Sequence, residues 1–309
     1  MPHTVRPLKA GISISQKGFG GALGGTLGCF LADARSNEIM LLSNMHILQF
    51  FQRKKPSSFL GWSEERREDP LQDHIIQPCG VYLREVAEDM LKKKGKTPRQ
   101  YYEQTATSSS SLLPTTTQIK NHYSEALDRW VVGLADLATV AVYSRGFLDD
   151  GMDAAVATLT RGTMWKNETL SQVAIKAPPT QYAPYVGQMV MKYGEASGKM
   201  RYGRIDDMDS TVTVPFTVTH EESLLPSVSM KGLVSKPMVK LEHVWKVTST
   251  DDKPFQIQGD SGSALLDAHG QLLGLMSTGG MGKSAYAIPI GRILMRLGLK
   301  FPDTKSGIA

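Results

Sequence analysis

The 309 residues carry 35 basic and 30 acidic side chains, a net charge of +5, with 41% hydrophobic and 21% charged residues. That composition supplies one large or two moderate cores and excludes a mostly disordered chain. Both signs of charge are scattered, so nucleic-acid binding is not expected, and the longest apolar runs fall far short of the roughly 20 residues of a membrane span. The first residues lack the apolar core of a signal peptide, which predicts a soluble, non-secreted protein. Cys29 and Cys79 lie in no metal-ligand pattern and read as reduced, buried residues. No metal or cofactor is expected.

In chain order, GGALGGTLGCFLADARSNEIMLLSNMHIL (20–48) gives a glycine-rich opening, an apolar run, a polar turn at 33–37 and a second apolar run. It reads as a β-hairpin with His46 just past the second strand. The segment from Cys79 to Trp130 breaks the strand rhythm. Val81, Val86, Ala87, Met90 and Leu91, then Ile119, Tyr123, Ala126, Leu127 and Trp130, recur at helical spacing on either side of the polar stretch TATSSSSLLPTTT. This predicts a helical insertion, expected to gate access or dock a regulatory protein, with a long surface loop as the alternative. Asp136 opens an apolar, strand-like run, 137–143.

VMKYGEASGKMRYGRI (190–205) has the glycines of a tight hairpin, and Val212 and Val214 alternate with threonines. Residues 272–277 and 285–288 read as further strands. Ile290, Ile293, Leu294 and Leu297 then predict a short amphipathic helix closing the chain.

The segment with most chemical content is Gly259-Asp260-Ser261-Gly262-Ser263. A serine nucleophile needs backbone N–H groups aimed at a developing oxyanion, and a glycine at 259 lets the backbone approach a substrate closely. A polar turn is the bland alternative. The serine also needs a base, and the base an orienting carboxylate. The α/β-hydrolase order is disfavoured, because position 263 is serine rather than glycine and only His269 follows Ser261. A subtilisin order would need Asp33, which sits in a turn. His46, Asp136 and Ser261 form a consistent set, with Asp128 as the other candidate acid.

These segments together resemble the chymotrypsin-like (trypsin-fold) serine peptidases, bacterial-type members in particular. GGTLGCF with LLSNMHIL is similar to the strand pair leading to the family's histidine, ADLATVAV to its aspartate strand, KYGEASGKMRYGRI to a glycine-rich hairpin, and GDSGSALL with GLMSTGG to its nucleophile and wall strands. The resemblance implies an all-β fold of two six-stranded antiparallel barrels, the first over 1–150 and the second over 151–309, with the helical insertion and a C-terminal helix. It implies an endopeptidase acting on protein or peptide substrates through His46, Asp136 and Ser261, with the Gly259 and Ser261 amides as oxyanion hole. A binding scaffold without turnover is the alternative.

Ile47 stands where many secreted relatives have a disulfide cysteine beside the histidine, which points to a cytoplasmic, reducing setting. Asp260 is expected to meet an internal Lys or Arg, or else an N-terminus cut between Pro7 and Ile14. Phe255 stands where trypsin has an acidic pocket base. With Ser277, Thr278, Gly279, Met276 and Tyr286 it implies a pocket for an uncharged, small or medium apolar residue.

Overall fold

A computed structural model describes residues 7–16, 24–48, 74–77, 83, 87–90, 134, 138–149, 151–215, 238–279 and 282–309. Strands β2 (Ser13–Gln16), β3 (Gly25–Thr26), β4 (Cys29–Asp33), β5 (Ile39–Ser43), β6 (His74–Ile76), β7 (Thr139–Asp149), β8 (Met152–Leu159) and β16 (Leu299–Lys300) form one curled sheet in the order β16-β4-β5-β8-β7-β6-β2-β3. A closed barrel contains β10 (Met189–Gly194), β11 (Lys199–Pro215), β12 (Met238–Ser249), β13 (Ala264–Asp267), β14 (Leu272–Gly279) and β15 (Ser284–Pro289), and β1 (Leu8–Ala10), β9 (Met164–Thr169) and β17 (Ser306–Ile308) make a small third sheet. The chain is all-β with two curled β units, as expected. Among the described residues the first unit is a curled sheet of eight strands, in which β16 arrives from far along the chain and takes the outer edge of β4, Leu299 opposite Asp33.

Side-chain alternation explains the layering. Cys29 and Leu31 of β4, Met40 and Leu42 of β5, and Ala154 and Val156 of β8 pack into a core shared with Leu266, Leu275 and Ile288 of the barrel. Their neighbours Phe30, Leu41, Ala155 and Ala157 face a second core around Trp165. Strands buried on both faces carry continuous apolar runs, as CFLA and IMLL do. A third core, Val190, Ile205, Val247, Phe255, Leu273, Met276, Ala285 and Ala287, fills the barrel.

The 33–37 turn forms as predicted. Asp33 Oδ1 accepts from the Arg35 and Ser36 amides at 2.8 and 2.9 Å, and Asn37 takes the left-handed φ of 61°. The hairpin expected over 190–205 is β10–β11, running from Met189 opposite Arg204 to Gly194 opposite Lys199. Helix α2 (Ile290–Leu297) buries Ile290, Ile293 and Leu297, and Gly298 caps it at φ 62°. It does not close the chain: β16 and β17 follow it, because Gly298 turns the backbone out of the helix toward β4.

The boundary expected at 150/151 falls within the β7–β8 hairpin, and β8 is hydrogen-bonded between β5 and β7. Of the expected insertion only residues 83 and 87–90 are described; they are helical, with Leu83 and Ala87 buried, and the remainder of 79–130 lies outside the described residues. Among the described residues no helix is long and apolar enough to cross a membrane.

Candidate active site

His46 lies in a short helical turn, α1 (Met45–Leu48), that leaves the end of β5. Ser43 at the end of β5 pairs with Ala155 of β8, which places the start of β8 beside that turn. Asp153 is there, fully buried. Its Oδ2 lies 2.7 Å from His46 Nδ1, and its Oδ1 accepts from the His46 amide at 3.2 Å. Asn44 Nδ2 holds the Asp153 carbonyl at 2.7 Å, so the residues before and after Met45 both grip one aspartate. The His46 side chain is 22% exposed.

The carboxylate on His46 is therefore Asp153. Asp136 and Asp128, the candidate acids of the sequence, lie outside the described residues. Asp153 carries the same signal that singled out Asp136, an aspartate opening an apolar strand (DAAVATL beside DLATVAV). The pairing of β5 with β8 is what brings Asp153 to His46, and it is a long-range contact that one strand's pattern does not encode.

Ser261 sits in the turn before β13. Gly259 and Gly262 adopt φ of 96° and 91°, and a Cβ on Gly262 would stand 2.2 Å from both Ser43 Oγ and the Thr26 carbonyl. Glycine is thus required at 262 for conformation and for space. Thr26 pins the turn from the first sheet: its Oγ1 donates to the Gly259 carbonyl at 2.8 Å, and its amide donates to the Ser261 carbonyl at 2.8 Å. Within the turn Asp260 N–H bonds Ile257, Gly262 N–H bonds Met276 and Ser263 N–H bonds Asp260, while the Gly259 and Ser261 amides have no acceptor among the described residues.

Asp260 is fully buried and meets Lys192 Nζ at 2.6 Å, also fully buried. Ile257 N–H and Ser197 N–H donate to the same carboxylate at 3.2 and 2.9 Å, and the Ser197 hydroxyl donates to it as well. Lys192 is the internal cation expected for Asp260. Val190 faces the barrel interior, so Lys192, two residues on, faces it too, and a lysine there requires a buried anion. Burial pushes its ammonium below the ordinary lysine range, a shift that Asp260 opposes.

Ser277 links the two halves. Its Oγ donates to Asp153 Oδ2 at 2.7 Å, and its carbonyl accepts from the Ser261 hydroxyl at 2.9 Å. Gln256 completes the cluster, with Nε2 3.3 Å from both Ser261 Oγ and the Ser277 carbonyl.

Of the expected pocket residues, Ser277 lies against Ser261 and Gly279 lies beside Gln256, toward whose Cβ a glycine Cβ would come to 3.1 Å. Thr278 lies opposite Tyr286 across the β14–β15 pair. Phe255 and Met276 belong to the barrel core, and Phe255 is fully buried there with Lys192 Nζ 5.7 Å from its ring centroid. Tyr286 packs instead with the shared core, on the opposite face of β15 from Ala285 and Ala287, so it does not join Phe255. The backbone turn after Phe255 presents the next residue, Gln256, to Ser261.

No protein-family model matches the sequence, and no curated protein does. Solved structures that resemble the chain are bacterial chymotrypsin-like serine proteases, at low identity. One is a glutamic-acid-specific serine protease that uses a histidine triad in substrate binding (13% identical, TM-score 0.47, covering 95% of this chain and all of that one). Protease A of Thermobifida fusca is 12% identical with a TM-score of 0.46, and a Nocardiopsis protease 10% identical with a TM-score of 0.47; each match covers 95% of this chain and 98% of the other.

Proposed function

We propose that the chain is a serine endopeptidase in which Ser261 is the nucleophile, His46 the general base and Asp153 the carboxylate that orients it. The observation that carries the reading is Ser277, which touches the Asp153 carboxylate with its side chain and the Ser261 hydroxyl with its carbonyl. In this reading Asp153 takes the role expected of Asp136.

In this mechanism Asp153 accepts a hydrogen bond from His46 Nδ1–H and so fixes the tautomer in which Nε2 is the atom that takes up a proton. The Ser261 hydroxyl turns from the Ser277 carbonyl, gives its proton to Nε2 and attacks the peptide carbonyl carbon. The Gly259 and Ser261 amides receive the oxyanion. His46 returns the proton to the departing amine, an acyl-enzyme remains, and water reverses the sequence to release the acid. Lys192 holds Asp260, and with it the two amides, from inside the chain, so the reading needs no new N-terminus.

The test is covalent labelling with a fluorophosphonate alongside peptide hydrolysis. Ser261→Ala is expected to abolish labelling and to lower kcat by about 10^6. Equal hydrolysis by wild type and variant would contradict the assignment.

A further inference from the structure

The Ser261 amide belongs to the peptide unit between Asp260 and Ser261, so its direction is set by the units before and after it. One residue holds both of those. The Gly259 carbonyl accepts from Thr26 Oγ1 at 2.8 Å, and the Ser261 carbonyl accepts from the Thr26 amide at 2.8 Å. Their N–H ends are fixed as well, Asp260 to the Ile257 carbonyl at 3.0 Å and Gly262 to the Met276 carbonyl at 2.9 Å. The middle unit differs: its carbonyl takes the Ser263 amide and hydroxyl, while its N–H has no acceptor among the described residues.

Thr26 is fully buried, and each of its polar groups is committed. A backbone N–H can only donate, so the Glu195 amide, 3.2 Å from Thr26 Oγ1, takes a lone pair there and leaves the hydroxyl proton for the Gly259 carbonyl. Glu195 belongs to the β10–β11 turn, whose Ser197 also grips Asp260. On the other side, the Thr26 carbonyl accepts from Ser43 Oγ at 2.8 Å, and Ser43 ends β5 just before the turn that carries His46. A Cβ on the neighbouring Gly25 would stand 2.6 Å from the side chain of Ile47, the residue after His46. Strand β3 therefore lies between the turn of the base and the turn of the nucleophile. Valine has nearly the same shape as threonine, so what the hydroxyl adds at position 26 is its two hydrogen bonds.

Building on the endopeptidase reading, we propose that Thr26 is a positioning residue for the oxyanion hole: it holds the peptide units on both sides of the Ser261 amide and so aims that N–H at the developing oxyanion. Thr26 acts through the nucleophile turn and does not touch substrate. Charge develops on the substrate oxygen only in the transition state, so a misaimed donor is felt in kcat rather than in KM.

Thr26→Val removes both side-chain hydrogen bonds at nearly constant shape, and Thr26→Ser restores the hydroxyl. Each variant, checked for folding by thermal unfolding, is assayed for peptide hydrolysis and for inhibition by a peptide boronic acid, whose tetrahedral adduct with Ser261 places an oxygen in the hole. Thr26→Val is expected to lower kcat by about 10^2, the scale of losing one oxyanion donor, with KM within a few-fold of wild type, and to weaken the boronate by a similar factor. Thr26→Ser is expected to recover roughly tenfold or more of that loss. A Thr26→Val kcat within a few-fold of wild type, a loss carried by KM, an unmoved boronate affinity, or a Thr26→Ser variant as slow as Thr26→Val would each overturn the positioning role and leave the nucleophile assignment standing. Thr26→Ala takes the place of Thr26→Val if the valine variant does not fold; if neither folds, Thr26 serves folding rather than aim, and the inference falls. A wild type that neither cleaves peptides nor labels with a fluorophosphonate overturns the endopeptidase reading, and this inference with it.

Discussion

At residue 192 a lysine occupies the interior of a barrel, where a lone ammonium would carry a desolvation cost far larger than any single packing gain. Asp260 offsets that cost, and the pair holds the turn that carries Ser261. Removing one member of such a buried pair costs about 3–5 kcal/mol, because the other charge is left unpaired. Lys192→Met is therefore expected to lower stability by that amount in denaturant unfolding and to abolish activity. The ammonium sits below the ordinary lysine range, so the folded protein loses this proton at lower pH than an unfolded chain would. Activity is accordingly expected to fall on the alkaline side before the ordinary lysine range is reached, as the Asp260 carboxylate loses its cation. A rate that is flat through that range in a pH profile would contradict this role for Lys192.

Among the elements, the β4–β5 hairpin is anchored at its turn by Asp33. Two backbone amides and Arg145, whose Nη2 lies 2.6 Å from Asp33 Oδ2, hold its carboxyl well below the usual carboxylate range. Arg145 also donates to the Leu297 carbonyl at 2.8 and 2.9 Å, tying the end of α2 to this hairpin. A depressed carboxylate contributes stability that is complete above its unfolded pKa and is lost as the pH falls through the folded one. Thermal unfolding followed from neutral to acid pH is expected to show this loss in wild type and a shallower fall in Asp33→Asn; identical slopes would contradict it. These elements were the legible part of the sequence. The turn residues, the glycines of β10–β11 and the helical spacing of α2 are local signals, and so is GDSGS. The carboxylate at His46 is not a local signal: two aspartates precede similar apolar runs in the sequence, and the pairing of β5 with β8 is what brings Asp153 there. The neighbours of Ser261 are not a local signal either: Phe255 packs in the barrel core while Gln256 faces Ser261, an outcome of a backbone turn that residue type does not reveal.

For the whole molecule, the site exists only where the first sheet and the barrel meet. His46 and Asp153 come from the sheet, Ser261, Ser277 and Gln256 from the barrel, and the core shared by Leu42, Val156, Leu275 and Ile288 holds the two together. The site therefore depends on contacts between residues more than a hundred positions apart, and in the proposed endopeptidase the link between His46 and Asp153 is the one on which activity turns. The rate of Ser261 acylation in Asp153→Asn and Asp136→Asn variants, both shown to be folded, tests it directly. Asp153→Asn is expected to lower that rate by about 10^4, because an amide in its place favours the wrong imidazole tautomer, while Asp136→Asn stays within a few-fold of wild type. A 10^4 loss in Asp136→Asn with Asp153→Asn near wild type would contradict the account.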